Sequence, residues 1–517
     1  MHYIKKTLLL LGITSTALMS CKERVPMDLN NASLIPIPNE INADGFSFQL
    51  NKNTQIVVSE PSLKNTAKVL QGILQPATGF DIQIVEGKNA ESNQILLSLS
   101  NELSKNDSYQ LKITEDKIII QGKDIGGVFY GAQTLRQLLP ASIEKKQVQN
   151  IDWRVASGTI KDAPRYEYRG AMLDVARHFF SVEEVKQFID YLAMYKMNYF
   201  HIHLTDDQGW RLEIKSWPNL TKIGAETEVG GGEGGFYTQE EYKDIVKYAL
   251  DRNITVVPEF DMPGHTNAAL ASYGELNPDN KPKKIYTGTK VGFSTFTVDK
   301  DLTYKFIDDV VREMVALTPG EYFHIGGDET HVTGKEDYIK FINRAQKIIT
   351  SHGKRVVGWA DIAEANLEPN TVAQFWKVKT HSAKLALDQK AKLLMSPAAK
   401  AYMDIQYDSI SPLGLHWAGY TEVDDAYQWD PDTFLPNTSP SDILGIEAPL
   451  WSETVKDIKD IQYLTFPRLP GYAEIGWSKK SQQDWNTYKI RLANQKARFE
   501  AMGLNYYQSP KVPWNKE

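Results

Sequence analysis

The sequence of 517 residues contains a single cysteine, Cys21, so no disulfide bond can form within the chain. It has no basic run, and its formal net charge of −7 argues against a nucleic-acid partner. No apolar run is long enough to span a bilayer comfortably. Low-complexity blocks are also absent, and the 42% hydrophobic and 24% charged residues are typical of a globular protein large enough for two or more domains.

The first 20 residues have the pattern of an export signal. Lys5 and Lys6 precede an apolar run from Leu8 to Met19, and small residues lead to Cys21. The position of Cys21 resembles the lipobox of bacterial lipoproteins, in which this cysteine becomes the lipidated first residue. A plain signal with an incidental cysteine is the alternative. We therefore expect residues 1–20 to be a lipoprotein signal peptide, and the exported protein to be lipid-anchored through Cys21 on the periplasmic or cell-surface face of a bacterial membrane.

Residues 21–42 are polar and contain three prolines, which predicts a tether followed by an extended segment. Residues 43–162 combine short runs of strand character with two patterns of helical period, from Ser62 to Gln75 and from Gly127 to Leu139. This combination predicts a small α+β domain with a supporting role. The strand candidates are Phe46–Leu50, Gln55–Ser59, Asp81–Val85, Gln94–Ser98, Tyr109–Thr114 and Lys117–Gln121.

After residue 162 strands and helices alternate, which indicates parallel βαβ units. Capping boxes begin two of the helices, at Ser181–Glu184 and Thr238–Glu241. Eight strand candidates predict a (β/α)8 TIM barrel over residues 163–517. A doubly wound open sheet is the alternative, but no Gly-rich nucleotide loop follows any of these strands. The candidates are Arg169–Val175, Tyr199–Leu204, Thr255–Phe260, Tyr322–Gly326, Arg355–Trp359, Val372–Trp376, Lys392–Ser396 and Leu444–Ala448.

The segment from residue 322 to residue 329 gives the clearest chemical signal. An apolar run of strand type ends at Gly326 and Gly327, and two adjacent carboxylates, Asp328 and Glu329, follow. The glycines permit backbone angles denied to other residues, so both acids can turn inward at the strand's end. Acid/base cleavage of a glycosidic bond needs a pair of carboxylates at such a position, whereas a surface turn would also contain these residue types.

The other predicted strand ends carry further acids, one imidazole, one guanidinium and several indoles, with no motif of a nucleophilic serine or cysteine. In a (β/α)8 barrel the loops after the strands line the one open mouth, so we expect these side chains to converge there. They are Arg177, Asp206, His265, Trp359, Trp376, Tyr402, Asp404, Trp451 and Glu453.

This constellation resembles the family 20 glycoside hydrolases, the β-N-acetylhexosaminidases, over nearly all of the mature chain. The central motif of that family matches His324-Ile325-Gly326-Gly327-Asp328-Glu329 without a departure. Four further segments match in the same order along the chain, and these are Leu173–His178, Asp261–His265, Ala448–Glu453 and Phe466–Pro470. The resemblance implies an exo-acting hydrolase without a cofactor or metal. It also implies retention at the anomeric centre and N-acetylhexosamine-terminated glycans or chitooligosaccharides as substrates.

The resemblance also implies roles for the reacting groups. Glu329 would be the general acid that protonates the leaving oxygen and then the base that activates water. The substrate's own 2-acetamido oxygen would attack the anomeric carbon, giving an oxazolinium-like intermediate. Asp328 would orient the acetamido N–H and offset the developing positive charge, and Tyr402 would donate its hydroxyl to the acetamido oxygen.

Further residues would bind the sugar or tune the acid. Arg177, Asp404 and Glu453 would hold its outer hydroxyls, although a helix-capping role is the alternative for Glu453. Asp206 and His265 would form a dyad that adjusts the pKa of the acid.

Four tryptophans would complete the implied site. Trp359, Trp376 and Trp451 would wall the acetamido pocket, and Trp417 would be a platform for the leaving group. For Trp359 and Trp376 a simple core role is the alternative.

Two other interpretations remain open from the sequence. His201 and His203 lie two apart on a predicted strand, so both face the same way, and some amidohydrolases begin a zinc site with such a pair. Asp261 or Asp328 would then be a further ligand of a deacetylase or amidase. The second is a lipid-anchored glycan-binding protein on an inactive hydrolase scaffold, which typically lacks an acid that this chain has.

Overall fold

The computed structural model describes residues 25–377 and 380–514. Cys21 and the predicted signal peptide over residues 1–20 therefore lie outside the described residues. Within those two ranges, no helix is both long and apolar enough to cross a membrane. The described chain forms a seven-stranded sheet, followed by a closed barrel of eight strands.

The small N-terminal domain is a mixed sheet with the strand order β1-β7-β5-β6-β4-β2-β3. Its strands are β1 Glu40–Gln49, β2 Gln55–Val58, β3 Ile84–Glu86, β4 Gln94–Leu99, β5 Tyr109–Ile113, β6 Lys117–Gly122 and β7 Arg154–Asp162. Its helices are α1 Lys64–Thr78 and α2 Ile125–Leu138. The predicted α+β class is confirmed. The sequence prediction omitted β7, where Gly158, at a φ of 147°, interrupts the strand pattern.

The segment before β1 differs from the predicted tether. In its described part, Leu29, Leu34 and Ile35 are buried. The backbone N–H of Ile35 donates to Gln137 Oε1 on α2 at 3.1 Å. The segment is packed against the small domain, because apolar side chains are interspersed among its polar residues.

The barrel prediction is confirmed. Each strand pairs in parallel with the next, and β15 pairs with β8 to close the barrel. The strands are β8 Tyr168–Asp174, β9 Tyr199–His203, β10 Thr255–Glu259, β11 Tyr322–His324, β12 Arg355–Trp359, β13 Val372–Phe375, β14 Lys392–Met395 and β15 Ile443–Leu450.

Helices follow most of the barrel strands, and the capping boxes predicted at Ser181 and Thr238 are present. The longer helices are α3 Val182–Met194, α5 Gln239–Leu250, α7 Asp301–Leu317, α8 Lys335–Ser351, α9 His381–Asp388, α13 Ile458–Thr465, α14 Arg468–Trp477 and α15 Trp485–Asn494. Shorter ones are α4 Asn219–Lys222, α6 Asn267–Ser272, α10 Ala398–Ala401, α11 Val423–Tyr427, α12 Pro431–Phe434 and α16 Lys496–Met502.

The barrel interior changes from apolar to polar toward the mouth. One buried cluster consists of Tyr168, Val257, Tyr322, Val357, Val372, Leu394 and Leu444. Two residues further along four of these strands lie Glu259, His324, Trp359 and Gln374, all fully buried. Alternate strand residues share a face, so this second layer lies directly above the first. Polar residues are unusual in such layers, which bulky branched side chains normally fill.

Buried polar contacts join the small domain to the barrel. Oδ2 of Asp162, the last residue of β7, accepts hydrogen bonds from Trp477 Nε1 at 2.8 Å and from Lys196 Nζ at 3.1 Å. Both donors belong to the barrel. The hydroxyl of Tyr109 on β5 donates to the same oxygen at 2.9 Å, so one carboxylate is shared by both domains.

Candidate active site

The turn after β11 brings the two adjacent acids to the barrel mouth. Gly326 and Gly327 have φ values of 65° and 100°, and Glu329 itself has a φ of 46°. A Cβ at Gly326 would lie 1.7 Å from Asp261 Oδ1, so only glycine fits there. The N–H of Gly327 donates to the same oxygen at 3.0 Å. Asp328 is buried by this turn, while the side chain of Glu329 stays partly exposed.

His265 connects the acid pair to Asp206. Its Nε2 lies 3.7 Å from Asp328 Oδ2 and 3.6 Å from Glu329 Oε2, and its Nδ1 lies 3.1 Å from Asp206 Oδ1. Burial lowers the pKa of His265, but Asp206, Asp328 and Asp261 more than offset it, so the net pKa lies well above its usual range. His265 is therefore a cation facing both acids.

The pKa of Asp328 is raised. Burial raises it most, His265 lowers it, and the negative charges of Glu329 and Glu259 add to the rise, so that the net pKa is about 7. A carboxyl with a pKa near neutrality changes its charge readily in a working pH range. Asp328 can therefore respond to a positive charge that develops beside it.

A second set of ionisable residues, Arg177, Asp404 and Glu453, belongs to the site. Arg177 contacts the oxygen of Asp206 that does not face His265. Arg177 Nη2 lies 2.8 Å from Asp206 Oδ2, and its Cζ lies 4.8 Å from the ring centre of Trp451. Burial raises the pKa of both Asp404 and Glu453. Within the described part of the chain, Oδ2 of Asp404 and Oε2 of Glu453 have no hydrogen-bond partner. Such atoms are suited to bind the hydroxyls of a ligand.

Aromatic side chains form one wall of the site. Trp359, Trp376 and Tyr402 belong to one buried cluster, against which Trp451 packs. The Trp359 ring centre lies 5.6 Å from that of Trp451 and 6.3 Å from that of Trp376. Trp417 is 55% exposed, with its ring centre 5.9 Å from that of Tyr402. A large exposed indole beside a buried aromatic pocket is suited to stack on a ring that lies outside the pocket.

These contacts join the predicted barrel residues around one mouth, where the backbone N–H of Trp451 also donates to Asp404 at 3.4 Å and Glu453 lies near the charge of Arg177. Cys21 lies outside the described residues. The individual roles of the barrel residues stay predictions. The sequence interpretation missed three buried or half-buried acids that position them. Asp174 accepts from the backbone of Arg177 at 3.1 Å, Asp361 from Trp376 Nε1 at 2.9 Å, and Glu259 from Trp359 Nε1 at 3.1 Å. Two signals were available in the sequence: Asp174 lies within the matched segment Leu173–His178, and Glu259 lies two residues before the matched segment Asp261–His265.

The ring nitrogens of the histidine pair on β9 face carboxylates. His201 Nδ1 lies 2.8 Å from Glu447 Oε1, and its Nε2 lies 3.0 Å from Glu259 Oε2. His203 contacts Glu259 through Nδ1 and Asp206 through Nε2. Both rings thus have carboxylate oxygens on both sides, so their nitrogens are satisfied by buried acids. Two groups of side chains are also close enough together to hold a metal ion: His201, Glu259 and His324, and His203, Glu259 and Asp261.

Comparison with known proteins identifies the family. The catalytic-domain model of glycosyl hydrolase family 20 matches residues 166–480, and that of its domain 2 matches residues 31–163. A β-N-acetylhexosaminidase of Cellulomonas fimi is 38% identical over 489 residues, which are 94% of this chain and 97% of that protein. A β-hexosaminidase of Porphyromonas gingivalis is 36% identical, over 95% of this chain and 67% of its own length.

Solved structures agree with this family. The family 20 β-N-acetylhexosaminidase of Streptomyces coelicolor superposes with a TM-score of 0.91 at 47% identity, covering 95% of this chain and all (100%) of its own. A mutant Streptomyces plicatus β-hexosaminidase in complex with its product GlcNAc gives 0.90 at 46% identity, over 95% and 99% of the two chains. The chain therefore belongs to glycosyl hydrolase family 20 and is a glycoside hydrolase.

Proposed function

We propose that this glycoside hydrolase is an exo-acting β-N-acetylhexosaminidase. It removes terminal N-acetylglucosamine or N-acetylgalactosamine from glycans or chitooligosaccharides, with retention of the anomeric configuration. The names of the relatives and the GlcNAc bound to the Streptomyces plicatus enzyme support this choice of sugar.

The observation that carries the mechanism is the position of the two acids. Asp328 and Glu329 are consecutive, and both lie within 3.7 Å of the same nitrogen of His265, so they share one side of the site. Two carboxylates that attack and protonate from opposite faces of a sugar must instead be separated across it. This pair therefore supports attack by the substrate's own 2-acetamido group, with Glu329 as general acid and then base.

The surrounding residues complete the proposed mechanism. Asp328 holds the acetamido N–H and balances the oxazolinium-like charge, and Tyr402 donates to the acetamido oxygen. Trp359, Trp376 and Trp451 enclose the acetamido group, and Trp417 stacks against the leaving group. The remaining polar residues orient the sugar or tune Glu329, and these are Arg177, Asp404, Glu453, Asp206 and His265.

Purified protein is expected to hydrolyse an aryl N-acetyl-β-glucosaminide and to leave the matching aryl β-glucoside almost unchanged. The plain glucoside has no acetamido oxygen to attack the anomeric carbon, so its turnover should be lower by at least about 10³-fold. Initial rates on the two substrates, with and without a chelator, measure this. The protein should lack residues 1–20 and have Cys21 replaced by serine.

Equal turnover of the two substrates would exclude neighbouring-group attack. Loss of activity on chelation would instead favour the metal-dependent amidohydrolase interpretation. If neither substrate is turned over, a family 20 scaffold that only binds glycans becomes the better explanation.

We also propose that the protein is exported and anchored to a bacterial membrane by lipid on Cys21. Lys5, Lys6 and the apolar run that follows support this proposal. In a bacterial expression host, wild-type protein is expected in the membrane fraction and Cys21→Ser in the soluble fraction, with equal specific activity. Mass spectrometry of the amino-terminal peptide checks the modification. A membrane-bound Cys21→Ser variant would contradict the lipid anchor.

A further inference from the structure

One carboxylate in the polar layer of the barrel contacts both sides of the site. Glu259 is the last residue of β10 and is fully buried. Strand pairing places it level with His203 on β9 and His324 on β11. Its position is therefore fixed by the sheet, whereas the acids at the mouth lie on loops.

The first side leads to the catalytic acid. Glu259 Oε2 contacts Nδ1 of His203, and Nε2 of that ring lies 2.8 Å from Asp206 Oδ2. The other oxygen of Asp206 lies 3.1 Å from His265 Nδ1. His265 Nε2 in turn lies 3.6 Å from Glu329. A chain of close contacts between acids and imidazoles thus runs from Glu259 to His265, and the last step, from His265 to Glu329, is an ion-pair contact and not a hydrogen bond.

The charge of Glu259 determines how this chain is protonated. Both nitrogens of His203 face carboxylates, which favours the doubly protonated, cationic ring. Burial lowers the pKa of His203, but Glu259 and Asp206 more than offset it, and the net pKa lies well above its usual range. With glutamine at position 259, one amide oxygen would replace the two carboxylate oxygens that face His203 and Trp359, and the negative charge beside the ring would be lost, so Asp206 would face a weaker donor.

The second side leads to the aromatic wall. Glu259 Oε1 accepts a hydrogen bond from Trp359 Nε1 at 3.1 Å. An indole has only this one donor, so the contact sets the orientation of the ring. Trp359 lies between Trp376 and Trp451, and its orientation therefore shapes the pocket that they enclose.

Other charged groups around Glu259 keep it ionised. Burial would raise the pKa of Glu259, but His203, His324 and His201 lower it well below its usual range. The titratable groups that face it come from β9, β11, β15 and the loops after β10 and β11, and they are His201, His203, His324, Glu447, Asp261 and Asp328.

We propose that Glu259 is a positioning residue for both parts of the reaction: through His203 and Asp206 it holds His265 against the acid pair, and through Trp359 it holds the wall of the acetamido pocket. This inference rests on the proposed function, since it assigns the two contacts to acid catalysis and to acetamido attack. One residue thereby couples protonation of the leaving group to the site of neighbouring-group attack.

The test compares Glu259→Gln with Glu447→Gln. Glu447 is a matched control because it is equally buried in the same polar layer. It accepts from Tyr168 at 2.6 Å and from Gln374 at 2.7 Å, one imidazole removed from Glu259. Thermal unfolding measures the structural effect of each variant. An effect that comes only from the removal of a buried charge should then appear in both variants.

Two readouts separate the two contacts. Rates on aryl N-acetyl-β-glucosaminides with leaving phenols of different acidity report acid catalysis. The inhibition constant of a thiazoline analogue of the bicyclic intermediate reports the acetamido pocket. Glu259→Gln is expected to lower kcat/KM about 10²-fold for the least acidic phenol, and less for acidic ones. It should weaken thiazoline binding about three- to tenfold, the effect of one lost hydrogen bond.

Single-contact variants complete the experiment. His203→Gln is expected to change only the dependence on the leaving group, and Trp359→Phe only the thiazoline binding. A folded Glu259→Gln that matches Glu447→Gln in both readouts would overturn the proposal. If Glu259→Gln does not fold, an unchanged leaving-group dependence in His203→Gln overturns it. Wild-type protein that hydrolyses the plain glucoside equally well would instead refute the proposed function, before any variant is compared.

Discussion

Glu329→Gln is expected to lower kcat/KM for an aryl N-acetyl-β-glucosaminide with a weakly acidic leaving phenol by about 10²- to 10⁴-fold. The amide has the shape of the acid but cannot give a proton to the leaving oxygen. Glu329 is the more exposed member of the pair, with 27% of its side chain exposed. Initial rates at saturating and limiting substrate measure the loss.

The same variant has an internal control. A strongly acidic leaving phenol needs little protonation, so its release should be affected much less, and hydrolysis of the intermediate should then become slow. Azide needs no general base, and it is expected to restore turnover and give the β-glycosyl azide. A uniform loss across all leaving groups, without azide rescue, would show that Glu329 is not the acid/base.

Asp328→Asn is expected to lower kcat/KM by about 10²- to 10³-fold, because an amide cannot balance the positive charge of the intermediate. In the free protein the pKa of Asp328 is about 7, and only its ionised form can act. The kcat/KM of the wild type should therefore rise with pH through about 7, since this ratio reports groups of the free enzyme. This rise of kcat/KM with pH should be absent in Asp328→Asn. If the rise persists in the variant, it comes from the titration of another group.

The same substitution is expected to stabilise the protein above neutral pH. The folded pKa of Asp328 is raised from 3.8 to about 7, so the folded state holds a proton that the unfolded state loses first. Because of this proton, the free energy of unfolding falls as the pH rises from about 4 to about 7. The decrease reaches up to about 4 kcal/mol above pH 7. Asparagine is neutral throughout. Thermal unfolding should show Asp328→Asn above wild type at about pH 8 and equal to it near pH 4; a lower midpoint at pH 8 would contradict this.

The sequence was sufficient to predict the barrel, because each of its strands is a short apolar run that ends at a polar loop. Gly326 and Gly327 marked the end of β11, and the acids after them are local in the chain. Arg177 and His265 could be placed at the mouth for the same reason, because each follows the end of a predicted strand. Features that depend on a few consecutive residues can thus be inferred from a single sequence.

The missed features depend on contacts between distant parts of the chain. Glu259 lies within an apolar strand pattern, and its importance comes from His203, His324 and Trp359 on three other strands. The burial of Leu34 and Ile35 likewise involves a contact with Gln137, about 100 residues away. No local pattern encodes such pairings, so only the folded structure shows them.

The shared carboxylate of Asp162 makes the two domains inseparable for protein engineering. A cut after residue 162 would leave the Lys196 ammonium and the Trp477 indole of the barrel without their common acceptor. A chimera that keeps this barrel but takes its small domain from a relative must therefore supply an acid at the same point. Transplanting the catalytic barrel alone would transfer an incomplete interior, so the pair of domains is the smallest exchangeable unit.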